Sequence, residues 1–195
     1  MEYETYPRWT YKPIEVDNLE AIQEELLPLL YREFPDFDTG RPTFIPVFRD
    51  KIEPCCPLYV KFIESTGLID LWEYSAFISA IAAKPFPIHV DSLDWKERCY
   101  GLNIPVINCK DTFTVFYDAD AEIETESRFS PDDLIKPARL LKNPGKWPTE
   151  IDRFPSTQPA WINLRIPHAP RSRHNNPRAI ISARFTPEIH DLMYK

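Results

Sequence analysis

The chain has 195 residues, a formal net charge of −7 and a hydrophobic fraction of 43%. This length and composition predict one globular domain with a hydrophobic core, and the negative charge makes nucleic acid an unlikely partner because phosphates would be repelled. Only four glycines occur, so the sequence contains neither a phosphate-binding loop nor a dinucleotide-binding fingerprint. Cofactor binding of the P-loop or Rossmann type is therefore excluded.

The four cysteines show no C-x-x-C spacing, and the N-terminus lacks the basic and then apolar layout of a signal peptide. No apolar run approaches the roughly 18 residues that a membrane-spanning helix needs. We therefore expect a cytoplasmic protein with reduced thiols and no membrane segment.

Helical patterns are concentrated in the first third of the chain. Asp17 and Glu20 predict a capping-box start. Apolar residues then recur at helical spacing, namely Leu19, Ile22, Leu26, Leu29 and Leu30. Pro28 is expected to kink or end this helix, because proline has no backbone N–H. A second helix is predicted from Pro57 to a C-terminal Gly67, so residues 1–67 are predicted to form a mostly helical extension.

After residue 67 the pattern changes to short segments rich in β-branched and aromatic residues. The predicted strands are residues 68–83, 86–91, 101–108, 112–117, 160–167 and 178–185. A short helix is also predicted within residues 131–141. Helices followed by strands predict an α+β fold, with residues 1–195 as a single domain and residues 68–187 as a β-sandwich core backed by the N-terminal helices.

Two histidines and one carboxylate have the arrangement that a mononuclear iron site needs. His89 and Asp91 stand two residues apart in a predicted strand, where side chains at i and i+2 project to the same face. His168 lies far downstream, between Pro167 and Pro170. Three such ligands leave three positions of an octahedral iron open. The alternative for His89 and Asp91 is an ordinary strand pair that bonds to each other or to solvent.

Arg178 follows His168 by ten residues. These four positions, in this order, resemble the Fe(II)/2-oxoglutarate-dependent dioxygenase superfamily, and are most similar to its aspartyl-hydroxylase-like branch. The resemblance covers about residues 70–185 and implies a double-stranded β-helix, also called a jelly roll. It further implies Fe(II) held by His89, Asp91 and His168, and 2-oxoglutarate whose far carboxylate is bound by Arg178.

Two other residues are candidates for contact with 2-oxoglutarate. The resemblance places Asn103 near the carboxylate at the metal, with an ordinary strand-end amide as the alternative. Arg184 is the rival of Arg178, because counting by twos places both on one strand face. Arg178 is preferred because it lies nearer His168. Some relatives carry a serine two residues after the arginine, where this chain has Ile180, so the second donor to the cosubstrate stays open.

The resemblance implies hydroxylation of a C–H bond in a small-molecule or peptide substrate, coupled to decarboxylation of 2-oxoglutarate to succinate. The alternatives are a cupin-like metalloenzyme that does not use 2-oxoglutarate and a non-catalytic jelly-roll binding module. Arg171 and Arg173 closely follow His168. We expect both to border the metal cavity, with a solvated loop as the alternative, and Tyr117 is a further candidate for the pocket wall.

Overall fold

The computed structural model describes residues 9–40, 43–84, 86–91, 99–118, 123–126, 139–141 and 148–193, with backbone only for 123–126 and 139–141. The helices are α1 (Leu19–Glu33), α2 (Arg49–Ile52), α3 (Pro57–Ser65) and α4 (Ile189–Met193). The strands are β1 (Tyr11–Pro13), β2 (Thr43–Phe48), β3 (Trp72–Ala80), β4 (His89–Val90), β5 (Tyr100–Ile107), β6 (Thr112–Tyr117), β7 (Ile123–Glu126), β8 (Arg139–Leu141), β9 (Glu150–Pro155), β10 (Ala160–Asn163), β11 (His168–Ser172) and β12 (Arg178–Phe185).

These strands form two antiparallel sheets of six strands each. The major sheet has the order β1-β10-β5-β12-β3-β2, and the minor sheet has the order β7-β8-β4-β11-β6-β9. Consecutive strands alternate between the two sheets from β3 to β6 and from β9 to β12, as they do in a jelly roll. The fold is therefore α+β, with a double-stranded β-helix as its core, as predicted.

Helix α1 packs on the major sheet through one apolar face. Its buried side chains are Ile22, Leu26, Leu29 and Leu30, at the spacing that the sequence predicted. Of the two outcomes predicted for Pro28, a kink or an end of the helix, the end is wrong, because α1 continues to Glu33. Pro28 is exposed, so water can satisfy the carbonyl that loses its helical partner.

The N-terminus of α1 also differs from the prediction. The capping residue is Asn18, in the left-handed conformation with φ 57°, and no side chain caps the helix there. Asparagine tolerates this conformation better than most residues. The predicted capping box of Asp17 and Glu20 is therefore wrong.

Helix α3 is capped by a residue of another helix. Both carboxylate oxygens of Glu25, on α1, accept hydrogen bonds from the backbone N–H of Leu58 at 2.9 and 3.0 Å, and one also accepts from Tyr59 at 3.0 Å. A carboxylate at a helix N-terminus satisfies free N–H groups and complements the helix dipole. Helix α3 ends at Ser65, before Gly67 at φ 73°, as predicted.

The outward face of the major sheet forms the main core with the helices. On β12 this face carries Ala179, Ile181, Ala183 and Phe185, all fully buried. The intervening residues of β12 face inward, toward the minor sheet, and two of them are arginines. The site described below occupies this inner space.

The predicted strand 178–185 coincides with β12, and residues 112–117 coincide with β6. Within the first 67 residues the structure also places two strands, β1 and β2, at the two edges of the major sheet. The helix predicted for 131–141 falls mostly outside the described residues, and 139–141 is strand β8. No helix in the described ranges is long and apolar enough to cross a membrane.

Candidate metal centre

Strand pairing in the minor sheet brings the two histidines together. His89 in β4 is the direct partner of His168 in β11, and the two ring centroids are 4.6 Å apart. Asp91 follows β4 directly, and its backbone N–H donates to the carbonyl of Leu164 at 3.0 Å. The three residues that the sequence predicted as ligands therefore meet at one place.

The possible ligand atoms of His89, Asp91 and His168 all lie within 4.8 Å of one another. Nε2 of His89 is 3.4 Å from Oδ1 of Asp91. Ions bound by such atoms lie about 2.0–2.2 Å from each of them, a distance tabulated for zinc. The three groups are therefore close enough together to be candidate ligands of one ion.

Both imidazoles are held in the same orientation by their own backbone. Nδ1 of His89 is 2.9 Å from the carbonyl oxygen of Pro87, and Nδ1 of His168 is 2.8 Å from that of Ile166. A carbonyl oxygen can only accept, so each Nδ1 carries the proton and donates it. Nε2 is then the ring nitrogen that each histidine can offer to a metal.

The charges of the cluster also suit a cation. Burial, with a contribution from neighbouring His89, lowers the pKa of His168 to about 4, so this imidazole is neutral at neutral pH. Burial acts to raise the pKa of Asp91, but the nearby charges, Arg184 first, outweigh it and lower the pKa below its usual value. The site thus offers a carboxylate and a neutral imidazole, the protonation states that a metal needs.

Arg184 contacts the metal-site carboxylate. Its Nη1 donates to Oδ2 of Asp91 at 2.8 Å, and its guanidinium lies over the ring of Phe44 at 5.7 Å. The side chain is 3% exposed, and its Nε has no partner among the described residues. Sequence reasoning considered Arg184 only as a rival anchor for the cosubstrate and missed this ion pair.

Gly101 of β5 provides the space for this arrangement. A Cβ atom at position 101 would lie 2.9 Å from Oγ of Ser182 and 3.4 Å from Nη1 of Arg184. The first distance is shorter than real contacts of this kind. Glycine at 101 therefore lets Ser182 and Arg184 lie against the backbone of β5.

Arg178 is a fully buried cation. It is 0% exposed, and none of its three guanidinium nitrogens has a hydrogen-bond partner in the described part of the chain. Burial lowers the pKa of this group. An isolated buried charge is costly unless it is paired. An anion bound beside Arg178 would relieve that cost.

Arg178 and Arg184 stand on the same, inward face of β12, with Ile180 and Ser182 between them. Asn103 of β5 is the direct neighbour of Ser182 in the sheet. Oδ1 of Asn103 and Oγ of Ser182 are both buried and have no partner among the described residues. This row of unsatisfied polar groups extends from Arg178 toward the metal-site carboxylate.

A small cavity lies between the sheets beside this row. It is lined by Asn103, Pro105, Thr114, Phe154, Ser156, Gln158 and Ile180, and its volume is about 10 Å³. Oγ of Ser156 is another buried atom without a partner there. Sequence reasoning missed Ser156, for which no sequence signal exists. Ser182 could have been found from the sequence, because it stands four residues after Arg178 in the same predicted strand and so shares its inward face.

The expectation that Arg171 and Arg173 border the metal cavity is wrong. Strand β11 extends to Ser172 in regular register, so Arg171, three residues after His168, projects from the opposite face of the minor sheet. Arg173 lies over the ring of Phe113 at 5.2 Å. Tyr117 shares that outer face, with the guanidinium of Arg171 at 5.9 Å from its ring, so it does not line the pocket either.

No family model matches the chain, and no curated protein matches its sequence.

The fold is similar to several solved structures. A prolyl hydroxylase from Trichoplax adhaerens, in complex with a hypoxia inducible factor peptide fragment, matches with a TM-score of 0.53 at 11% identity, over 95% of this chain and 87% of that one. HygX from Streptomyces hygroscopicus, with nickel and 2-oxoglutarate bound, matches with a TM-score of 0.52 at 11% identity, over 91% and 81% of the two chains. The α-ketoglutarate-dependent carbocyclase SnoK, from nogalamycin biosynthesis, matches with a TM-score of 0.51 at 10% identity, over 90% and 78%. The chain therefore has the double-stranded β-helix fold of the non-haem 2-oxoglutarate-dependent oxygenases, with a His-Asp-His cluster inside it.

Proposed function

We propose that the protein is an Fe(II)- and 2-oxoglutarate-dependent oxygenase that hydroxylates a C–H bond of a small-molecule or peptide substrate. The observation that carries this proposal is the unpartnered, fully buried guanidinium of Arg178 in the same fold interior as the His-Asp-His cluster. A metal site alone would not need this cation. A metal site that works with a dicarboxylate cosubstrate would.

His89, Asp91 and His168 would hold the iron. The paired Nδ1–carbonyl hydrogen bonds fix both rings with Nε2 directed away from the backbone. Arg184 occupies Oδ2 of Asp91, which leaves Oδ1 on the side of His89. Two imidazole nitrogens and one carboxylate oxygen are the donor set of the facial triad that binds non-haem Fe(II) and leaves positions open.

Arg178 would bind the far carboxylate of 2-oxoglutarate. Its planar guanidinium matches a carboxylate in bidentate geometry and stays charged at any working pH. Asn103 lies one strand away from β12, where its side chain would contact the cosubstrate nearer the metal. The hydroxyl of Ser182, between the two arginines, is a candidate for the second donor that Ile180 cannot supply.

The interior cavity has room for roughly one water molecule. Binding of 2-oxoglutarate would therefore require neighbouring side chains to move, and the long side chain of Arg178 is the most adaptable of them. When bound, iron and 2-oxoglutarate would supply the oxidising chemistry, in which dioxygen, 2-oxoglutarate and substrate give succinate, carbon dioxide and hydroxylated substrate. The residues of the chain would orient these groups and exclude competing reactions.

The alternatives explain less of the site. A cupin-like metalloenzyme without 2-oxoglutarate would leave Arg178 without a function, and a binding module would need neither the cation nor the oriented imidazoles.

The four cysteines are free thiols, which supports a cytoplasmic location because disulfides are rare there.

The test is anaerobic loading with Fe(II) and 2-oxoglutarate, followed by exposure to air and measurement of succinate without added substrate. We expect succinate from the wild-type protein and none from His89→Ala. His174→Ala is the matched control, since His174 lies outside the proposed metal centre, where its Nε2 is 2.8 Å from the carbonyl oxygen of Lys110. Iron binding by the wild-type protein and by His174→Ala but not by His89→Ala, without succinate from any of them, would favour a metalloprotein that does not use 2-oxoglutarate. Absence of iron binding would favour the binding module.

A further inference from the structure

Cys55 and Cys56 are adjacent in the chain, and their sulfur atoms lie 3.6 Å apart. They stand in the turn between α2 and α3, where Cys56 is the capping residue that precedes Pro57. Both are free thiols. Most neighbouring side chains in a chain point apart, so this turn holds the two sulfur atoms in contact.

The two thiols differ in their surroundings. Cys55 is partly exposed, its sulfur contacts the carbonyl of Lys51 at 3.0 Å, and a guanidinium nitrogen of Arg32 lies 3.9 Å away. Cys56 is 0% exposed, and its sulfur donates to the carbonyl of Glu25 at 3.7 Å. An oxidant in solution therefore reaches the sulfur of Cys55 first, whereas the sulfur of Cys56 is shielded from it.

From this geometry we propose that Cys55 and Cys56 form a redox modification site, in which hydrogen peroxide converts the two thiols into a disulfide between neighbouring residues. This site is separate from the metal centre and does not depend on the proposed oxygenase function.

The reaction balances in two steps. The sulfur of Cys55 attacks one oxygen of hydrogen peroxide; the O–O bond breaks, the departing hydroxide takes the proton of the Cys55 thiol, and the sulfenic acid of Cys55 and one water form. The sulfur of Cys56 then attacks the sulfur of Cys55, the S–O bond breaks, and the departing oxygen leaves as a second water with the proton of Cys56. Two thiols are oxidised by two electrons, and one peroxide is reduced to two waters.

Closing the bond requires the sulfur atoms to approach from 3.6 Å to about 2.05 Å. The sulfur of Cys56 must then leave the carbonyl of Glu25, the residue whose carboxylate caps α3. Pro57 follows Cys56 and restricts the backbone that can adapt. We therefore expect the disulfide to be strained and readily reduced.

The test treats the full chain with hydrogen peroxide and identifies the modified cysteines by mass spectrometry of peptides. In the wild-type protein we expect the peptide with both Cys55 and Cys56 to lose two hydrogens and to recover them with dithiothreitol. Cys99 and Cys109, both buried, are internal controls and should react at least roughly tenfold more slowly.

Two variants separate the steps. Cys56→Ser removes the second sulfur, so Cys55 should stop at the sulfenic acid and be captured by dimedone. Cys55→Ser should leave Cys56 unmodified under the same treatment. The proposal would be overturned if the wild-type peptide gained oxygen at Cys55 as fast as Cys56→Ser does, if the disulfides joined two chains, or if all four cysteines reacted at one rate.

Discussion

Arg184 and Asp91 are 93 residues apart in sequence, yet Nη1 of Arg184 donates to Oδ2 of Asp91 at 2.8 Å inside the fold. The arginine belongs to the major sheet, and the carboxylate follows a strand of the minor sheet. The ion pair therefore links the two sheets at the metal centre. It also keeps one carboxylate oxygen engaged, so the other oxygen remains for the ion.

We expect Arg184→Met to weaken metal binding about 10- to 100-fold, the usual effect of removing a group that orients a ligand. The variant leaves Asp91 buried without its hydrogen-bond donor, so the carboxylate is harder to keep ionised. Isothermal titration with Mn(II) measures the affinity. Arg173→Met is the matched control because Arg173 is exposed and lies over the ring of Phe113, on the outer face of the minor sheet. Equal affinities for both variants would show that Arg184 does not support the ligand.

Arg178→Met should instead weaken the binding of 2-oxoglutarate. Losing a charge-assisted bidentate contact and leaving its carboxylate unpaired costs on the order of 2–5 kcal/mol, and metal affinity should not change. Without 2-oxoglutarate the same variant should be at least as stable as the wild type to urea, because it removes an unpaired buried cation. Titration of the Mn(II)-loaded protein with 2-oxoglutarate and urea unfolding are the measurements. If Arg184→Met reduced the affinity for 2-oxoglutarate more than Arg178→Met did, Arg184 would be the residue that binds the far carboxylate.

The metal-free protein should lose stability on acidification. In the folded state the pKa of His168 is about 4, against 6.5 for an unperturbed histidine. Between these values the unfolded chain binds a proton that the folded chain does not bind, so the free energy of unfolding falls as pH falls from about 6.5 to 4. Above pH 6.5 this group has no effect. The total loss is on the order of 3 kcal/mol.

Urea unfolding of chelator-treated protein at several pH values checks this prediction. His168→Gln should flatten the slope, while His174→Gln, outside the site, should retain it. A slope that is the same in wild type and His168→Gln would show that another group is responsible.

Gly101→Ala should disturb the metal centre through Arg184, which contacts Asp91. The new Cβ would lie 2.9 Å from Oγ of Ser182 and 3.4 Å from Nη1 of Arg184, and overpacking of this kind costs about 1–3 kcal/mol. We expect lower stability and weaker Mn(II) binding. Ser182→Ala removes the Oγ atom that the new Cβ would contact most closely. The double variant should therefore recover part of the lost stability and part of the lost Mn(II) affinity. No recovery would mean that the backbone, rather than Ser182, resists the methyl group.

Much of the site could be predicted because alternation along strands is a short-range rule. It placed His89 beside Asp91, and Arg178 and Arg184 on one face of β12. The ion pair between Arg184 and Asp91 could not be predicted, because it depends on how two sheets close on each other. The same rule would have placed Arg171 correctly, but no strand was predicted between residues 167 and 178, whereas β11 runs from His168 to Ser172.

Helices and inner strands were easier to predict than edge strands. The apolar spacing of α1 and the segment of β12 follow from local patterns. Strands β1 and β2 were missed because each contains a proline, Pro13 and Pro46, which reduces the strand signal. Both strands lie at the edges of the major sheet, where a missing backbone donor is tolerated.

Strand β4 is only two residues long, yet it carries one ligand and is followed directly by another. So short a strand has few ladder hydrogen bonds of its own, and its position depends on its neighbours β8 and β11. An ion shared by His89, Asp91 and His168 would add bonds where the sheet has fewest. Loss of the ion should therefore cause local opening around residue 90 before any other part of the fold opens. Amide exchange should become faster there, while the helix-backed major sheet remains closed.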